Sequence, residues 1–378
     1  MSNHILSLSA TLDKAAETPP RFTPPRFRVA QYNILASYLG NNREPWFLFG
    51  ALTRSAADQE RARQVAIRHQ AIDKETGNPL YKGWEQYTEG ILSDAEKRAV
   101  ERRDAEVFSW TVRQPKIAKT ILSLDADLVS LVELDRYEEF FRDTFEREGY
   151  GSFWMKRPRN NSKDGCAILY RKTKLKLLDS SGFAYNDDIE GNRKDRVALM
   201  GLFQMHHVMD GEDDRVIFVS THLARNPEDE KQNEIRIRQV SELMIELRMF
   251  ANTHDALNVP VIVAGDWNAE TIETLRFMSL ALFSLQHIFQ DAHPMLLGGI
   301  DIVTAKTAFT MQRQSRIDYL LYQDNLLRPV SQQLYPAESD LPSQKCIPNE
   351  EHPSDHLPVW ADFEIASRLQ VARECAQA

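Results

Sequence analysis

Cysteine is scarce in this chain of 378 residues: Cys166, Cys346 and Cys375 lie far apart, with no CxxC pair and no metal-ligand spacing. An odd, scattered set excludes a disulfide framework or a zinc ribbon and suits a reducing compartment. No run of 18 or more apolar residues occurs, and the N-terminus lacks the basic-then-apolar order of a secretory signal, so a spanning or secreted protein is not expected. Three signatures are missing: GxSxG, GxGxxG, and GxxxxGK followed by Ser or Thr. Their absence removes support for serine hydrolases, dinucleotide folds and P-loops. Positive charge is also in deficit. With 46 Lys+Arg against 55 Asp+Glu the net charge is −9, which opposes reading the whole surface as a nucleic-acid platform.

What is present is a large apolar inventory. At 42% hydrophobic and 27% charged, the chain can bury a sizeable core, and its motif layout favours one large α/β domain over two or three small ones. Residues 1–26 are polar and end in Pro19, Pro20, Pro24 and Pro25, which reads as a loose tail. A catalytic domain is expected over 27–366, with a second tail at 367–378. Short runs rich in β-branched and aliphatic residues recur at 28–36, 126–135, 163–172, 195–203, 214–223, 259–268, 315–322 and 356–365. Each is a strand expectation. Ile117, Ile121 and Leu124, then Val240, Leu243, Met244 and Leu247, recur at helical spacing and mark core faces. The highly charged stretch of about 40–106 reads as a helical hairpin inserted after the first strand, a lid or, more simply, a surface elaboration.

Polar residues fall at predicted strand ends, where an α/β domain gathers them on one edge. In VIVAGDWN, Gly265 allows a sharp change of direction, and alternation sends Asp266 and Asn268 to one side and Trp267 into the core. Asp266 can take a proton from water and Asn268 can donate to a phosphate; the plain alternative for Asp266 is an Asx turn. Glu133 follows an apolar run and must emerge at the rim or meet a cation, for which Mg²⁺ suits one carboxylate plus substrate oxygens. Asn33 could support that shell or be an ordinary turn residue. His222 and His356 can donate to developing charge if their other nitrogen is fixed, and Asp318, an acid in an apolar strand, is the chosen partner of His356, with Asp355 the alternative. His352 and His356 have an H-x₃-H spacing, but Pro353 and Pro358 deny the helix that zinc would need. Cys166 reads as a buried structural thiol. Between Lys156 and Lys176 eight basic residues face a single acid, Asp164, which is a meeting place for an anion or a solvated face.

The ordered set YNILA, VELD, DGCA, STHLARNP, GDWN, RIDY and PSDHLP resembles the endonuclease/exonuclease/phosphatase superfamily, nearest its nocturnin and angel deadenylase-like branch, from about Phe27 to Ile365. The resemblance implies a four-layer α/β sandwich, two packed mixed sheets flanked by helices, with the site at one edge. It implies Mg²⁺ (or Mn²⁺) on Glu133 with Asn33 in support, and His222 and Asn268 on the scissile phosphate. Asp266 would activate water, His356 with Asp318 would stabilise charge, and Pro227 would lie near the substrate base. The implied activity is a 3′–5′ exoribonuclease on poly(A)-like RNA; alternatives are an NADP(H) 2′-phosphatase or other nucleotide phosphatase, and an impaired RNA- or partner-binding relative. Three departures stand out: Val132 where the family has glutamine, the long insert, and no leucine-rich-repeat docking module. No membrane partner is expected. The cytoplasm is the expected location, with nucleus and mitochondria open, although Asp13, Glu17 and the lack of arginine before Arg21 disfavour a mitochondrial presequence.

Overall fold

A computed structural model describes residues 26–44, 55–186, 195–206, 214–288, 300–304, 308–309, 314–332 and 347–365. The tails expected at 1–26 and 367–378, Arg26 apart, and residues 45–54 of the insert lie outside them. The strands are β1 (Arg26–Asn33), β2 (Leu128–Leu134), β3 (Tyr150–Lys156), β4 (Gly165–Arg171), β5 (Leu175–Ala184), β6 (Val197–Met205) and β7 (Arg215–His222). They continue with β8 (Val261–Asp266), β9 (Ile300–Thr304), β10 (Ala308–Phe309), β11 (Gln314–Ser315), β12 (Asp318–Gln323), β13 (Leu327–Gln332) and β14 (Val359–Ile365). Two six-stranded sheets result, ordered β13-β14-β1-β2-β4-β3 and β5-β6-β7-β8-β12-β9, beside the short β10-β11 ladder.

Period-two alternation makes the layers. In β8, Ile262 and Ala264 meet the other sheet, while Val261 and Val263 meet helices. The inter-sheet core draws Val29, Leu128, Val132 and Ile168 from the first sheet and Phe203, Phe218, Ile262 and Leu320 from the second. On the outer face of the second sheet pack helices of Glu230–Thr253 and Thr271–Ile288; the first sheet carries Trp110–Ser123 and Arg142–Arg147. The order helix, sheet, sheet, helix is the four-layer sandwich that the motifs imply. Both expected helical stripes are core faces: Ile117 and Ile121 pack on the first sheet, and Val240, Leu243, Met244 and Leu247 on the second.

After β1 the insert supplies helices Ala56–Gln70 and Asp94–Arg103, the second opened by a Ser93/Glu96 capping box. Val65, Trp84, Tyr87, Leu92 and Val100 give it a small core of its own. No helix among the described residues is long and apolar enough to cross a membrane.

Candidate active site

In each sheet the central pair of strands is parallel, β1 with β2 and β7 with β8, and their neighbours run antiparallel. The four parallel strands therefore end on one rim, at Asn33, next to Glu133, at His222 and at Asp266. The antiparallel neighbours begin there: Asp318 opens β12, and His356 precedes β14. Register fixes the second sheet's contribution, because Asp266 is the cross-strand partner of both His222 and Asp318.

Asp266, buried, is the hub. Its Oδ2 accepts from Asn33 Nδ2 at 3.0 Å and lies 3.5 Å from His222 Nε2 and 3.9 Å from His356 Nε2; its Oδ1 accepts from the Asn268 backbone N–H at 2.9 Å. Burial raises its carboxyl, and the charge of Asp318 adds to this, to about 6. His356 Nδ1 pairs with Asp318 Oδ2 at 2.7 Å, settling the choice between Asp318 and Asp355, and Gln31 Nε2 donates to the other Asp318 oxygen at 3.2 Å. Burial opposes charge on His356, but Asp318 and Asp355 outweigh it and lift the ring to about 10. His222 is the reverse case. Burial, with repulsion from Arg196 and Arg157, holds it well below the ordinary imidazole value, so it is neutral.

Two local expectations are corrected. Gly265 does not turn the chain: it lies within β8, where an added Cβ would sit 2.1 Å from the Thr221 carbonyl oxygen, so the glycine permits the close approach of β8 to β7. Nor do Asp266 and Asn268 converge by extended alternation. The strand stops at Asp266 and Asn268 takes φ 48°, a left-handed turn that asparagine tolerates. The Asp266–Asn268 hydrogen bond is an Asx turn, as is Asn33 Oδ1 with Leu35 N–H at 3.0 Å, so the plain reading and the chemical one hold at the same residues. Asn268 Nδ2 reaches both His222 Nε2, at 3.1 Å, and the Leu223 carbonyl, at 3.4 Å; an acceptor at Leu223 fixes the amide orientation, and the neutral His222 then carries its proton on Nδ1. Trp267 is core, as expected.

Glu133 occupies a bulge in β2 with φ 56°, where the pairing with β4 shifts between Val132 and Leu134. Val132 fills the inter-sheet core, and the bulge turns the next side chain to the rim. Glu133 makes no hydrogen bond or ion pair with a described residue, and burial, reinforced by Asp355 and Asp164, pushes its carboxyl up to about 7. An unpaired hard oxygen donor in a surplus of negative charge fits a divalent cation. Asn33 is committed to Asp266 through its nitrogen, and its oxygen keeps a lone pair for an ion. Asp266, Asp318 and His356 also offer ligand atoms within 4.8 Å of one another, although Asp318 and His356 already spend theirs on each other.

Two buried arginines that the motifs did not single out hold the loops around these groups. Arg113 donates to the carbonyls of Ile34, Leu35, Ala36, Phe108 and Pro353, tying the turn after Asn33 to the turn before His356. Arg236 donates to those of Ala224, Arg225, Asn226 and Pro227, fixing the loop after His222 on which Pro227 lies. A buried cation inside a helical stripe was the available signal for both. The basic stretch divides. Arg171, Lys172 and Lys174, at the opposite edge of the sheet, pair with Asp125, Glu146 and Asp127. Only the end from Lys156 to Lys163 shares the rim, and there Arg157 bonds Asp164 at 2.5 Å.

A carboxylate base, a charged imidazole backed by an acid, a neutral amide donor and a glutamate open to a cation together serve hydrolysis of phosphoester bonds. The chain belongs to the Endonuclease/Exonuclease/phosphatase family, which matches over residues 109–356. It is similar to the CCR4-Not complex 3′-5′-exoribonuclease subunit Ccr4 of Debaryomyces hansenii, 26% identical over 311 residues, 68% of this chain and 36% of that protein. It is also similar to nocturnin of Xenopus laevis, 26% identical over 275 residues, 69% of this chain and 66% of that protein. The chain thus spans about a third of the yeast relative's length. Its fold is that of ANGEL2, a 2′,3′-cyclic phosphatase solved with adenosine-2′,3′-vanadate, with TM-score 0.59 and 20% identity over 90% of this chain and 96% of that one.

Proposed function

We propose that the chain is a magnesium-dependent 3′–5′ exoribonuclease that shortens poly(A)-like RNA and releases 5′-AMP. The observation that carries the reading is one buried cluster holding a base, Asp266, beside an imidazole kept protonated, His356, and a neutral donor, Asn268, held in place by the neutral ring of His222. In-line attack of water on phosphorus requires this set. Asp266 keeps a free lone pair on each oxygen and takes the proton of the attacking water. His356 Nε2 donates to the phosphoryl oxygen, its positive charge shared with Asp318. Asn268 Nδ2, held in the free protein by His222, turns to a non-bridging oxygen, bringing no negative charge to repel it. Glu133, with the Asn33 oxygen, holds Mg²⁺, or Mn²⁺ in its place. When bound, the ion supplies Lewis-acid polarisation of a phosphate oxygen. Pro227 stands on the loop that would border the terminal base. The exoribonuclease activity in the name of the yeast relative supports an RNA end as substrate.

A second reading, a nucleotide phosphatase such as one removing the 2′-phosphate of NADP(H), is favoured by the division of the basic stretch: among the described residues the rim carries no long cationic track for a polymer. Incubating the full chain and Mg²⁺ with 5′-labelled oligo(A) and with NADP⁺ separates them. A ladder with AMP supports the first; phosphate from NADP⁺ alone supports the second; turnover of neither indicates an impaired binding relative. Turnover of inositol or lipid phosphates alone would refute the branch. The cytoplasm remains the proposed location.

A further inference from the structure

Arg196 is the strongest unexplained group on the rim. It stands immediately before β6, where the register Ala198 to Thr221 sets it beside the end of β7 that carries His222, and its carbonyl is fixed by Tyr185 N–H at 3.1 Å. It is 8% exposed, yet its guanidinium makes no hydrogen bond or ion pair with a described residue. The charges acting on it are Glu133 and Asp164 from the first sheet, Asp266 from the second, and a second cation, Arg157. Arg157 is itself incompletely satisfied: its Nη2 serves Tyr38 and Asp164, while its Nε, 3.9 Å from Asp195 Oδ2, is buried without a hydrogen bond. Arginine offers five donors in a fixed fork, a geometry that the oxygens of a ligand can complete. Carboxylates outnumber the two guanidinium groups here, but none of them bonds Arg196, and the oxygens of an anion would supply the acceptors that its fork lacks.

We infer that Arg196 binds the non-bridging oxygens of the substrate's reacting phosphate, with Arg157 behind it, and so belongs to the substrate site. The inference rests on the hydrolase reading for the identity of the phosphate, but not for the existence of an anion site. The competing role is that of a counter-cation for Glu133, Asp164 and Asp266, and the two differ in what the loss of Arg196 does to phosphate and to metal.

The test is calorimetric titration of the full chain with inorganic phosphate, with Mg²⁺ and with EDTA, without turnover. Arg196→Gln should weaken phosphate binding by about 10- to 100-fold in both conditions. Arg196→Lys, which keeps the charge and loses the fork, should fall between. Lys176→Gln, an exposed cation at the far edge of the sheet, should bind as the wild type does. Unchanged phosphate affinity in Arg196→Gln, or tighter Mg²⁺ binding as the sole effect, would overturn the inference. If Arg196→Gln does not fold, the Lys variant decides alone: wild-type phosphate affinity there rejects the fork. A chain that binds phosphate through Arg196 but hydrolyses neither RNA nor NADP⁺ would retain the anion site and lose the hydrolase reading.

Discussion

His356 Nδ1 is bound to Asp318 Oδ2 at 2.7 Å, and this leaves Nε2 as the nitrogen that faces Asp266, 3.9 Å away. Orientation and charge of the ring thus come from one carboxylate. Asp318→Asn should keep much of the geometry and lose the charge, lowering kcat by about 10²-fold or more. The alkaline limb of kcat/KM should move from near 10 towards the ordinary imidazole value. A limb that stays in place would show that His356 does not supply the proton.

The same two groups set the pH range. Asp266, raised to about 6, reacts as its anion, so activity is lost as pH falls through that value; His356, raised to about 10, reacts as its cation, so activity is lost as pH rises through it. Rates of kcat/KM against pH should give a plateau between the two limbs. An acid limb that persists in Asp266→Asn would assign it to another residue.

Asp266→Asn removes the proton acceptor, and its single amide oxygen can keep only one of the two hydrogen bonds from Asn33 Nδ2 and the Asn268 N–H. The expected loss in kcat is about 10² to 10⁴-fold with a smaller change in KM. An unchanged rate would take Asp266 out of the mechanism.

Glu133 is a carboxylate held in surplus negative charge without a protein partner, so its gain must come from a ligand. Glu133→Gln should raise the melting temperature of the protein in EDTA and abolish the rise that Mg²⁺ gives the wild type. Thermal melts with and without the ion check both halves. EDTA should also end turnover, and Mg²⁺ should restore it.

Arg113 is fully buried and donates to carbonyls of three chain segments. Arg113→Met would leave those carbonyls unpaired at a cost of about 3 kcal/mol or more. Urea unfolding would measure it. Activity should fall too, because the turns after Asn33 and before His356 share this clamp.

The layers of this protein were legible in the chain because strand alternation and helical stripes are local: the apolar positions of β8 and of the helix Glu230–Thr253 select their faces without knowledge of the rest. The chemistry of the site was partly legible for a similar reason. An acid or amide placed where an apolar strand ends, as at Glu133, His222 and Asp266, is costly to bury and signals the rim. Gly265 was misread because its role is a contact with Thr221, a residue distant in sequence. Arg113, Arg196 and Arg236 were passed over because a basic residue in a helix or at a strand start ordinarily faces water, and only packing shows that these do not.

By itself the sequence determined which segments alternate, which side chains can transfer a proton or meet a cation, and that a family motif runs from YNILA to PSDHLP. Tertiary structure decided which of those side chains meet. The parallel pairs β1-β2 and β7-β8 point their ends at one rim, while antiparallel neighbours start there, so Asn33, His222, Asp266, Asp318 and His356 come within hydrogen-bonding range across more than three hundred positions. Protonation was decided there too, since burial and neighbouring charge, absent from any local window, make His222 neutral and His356 cationic.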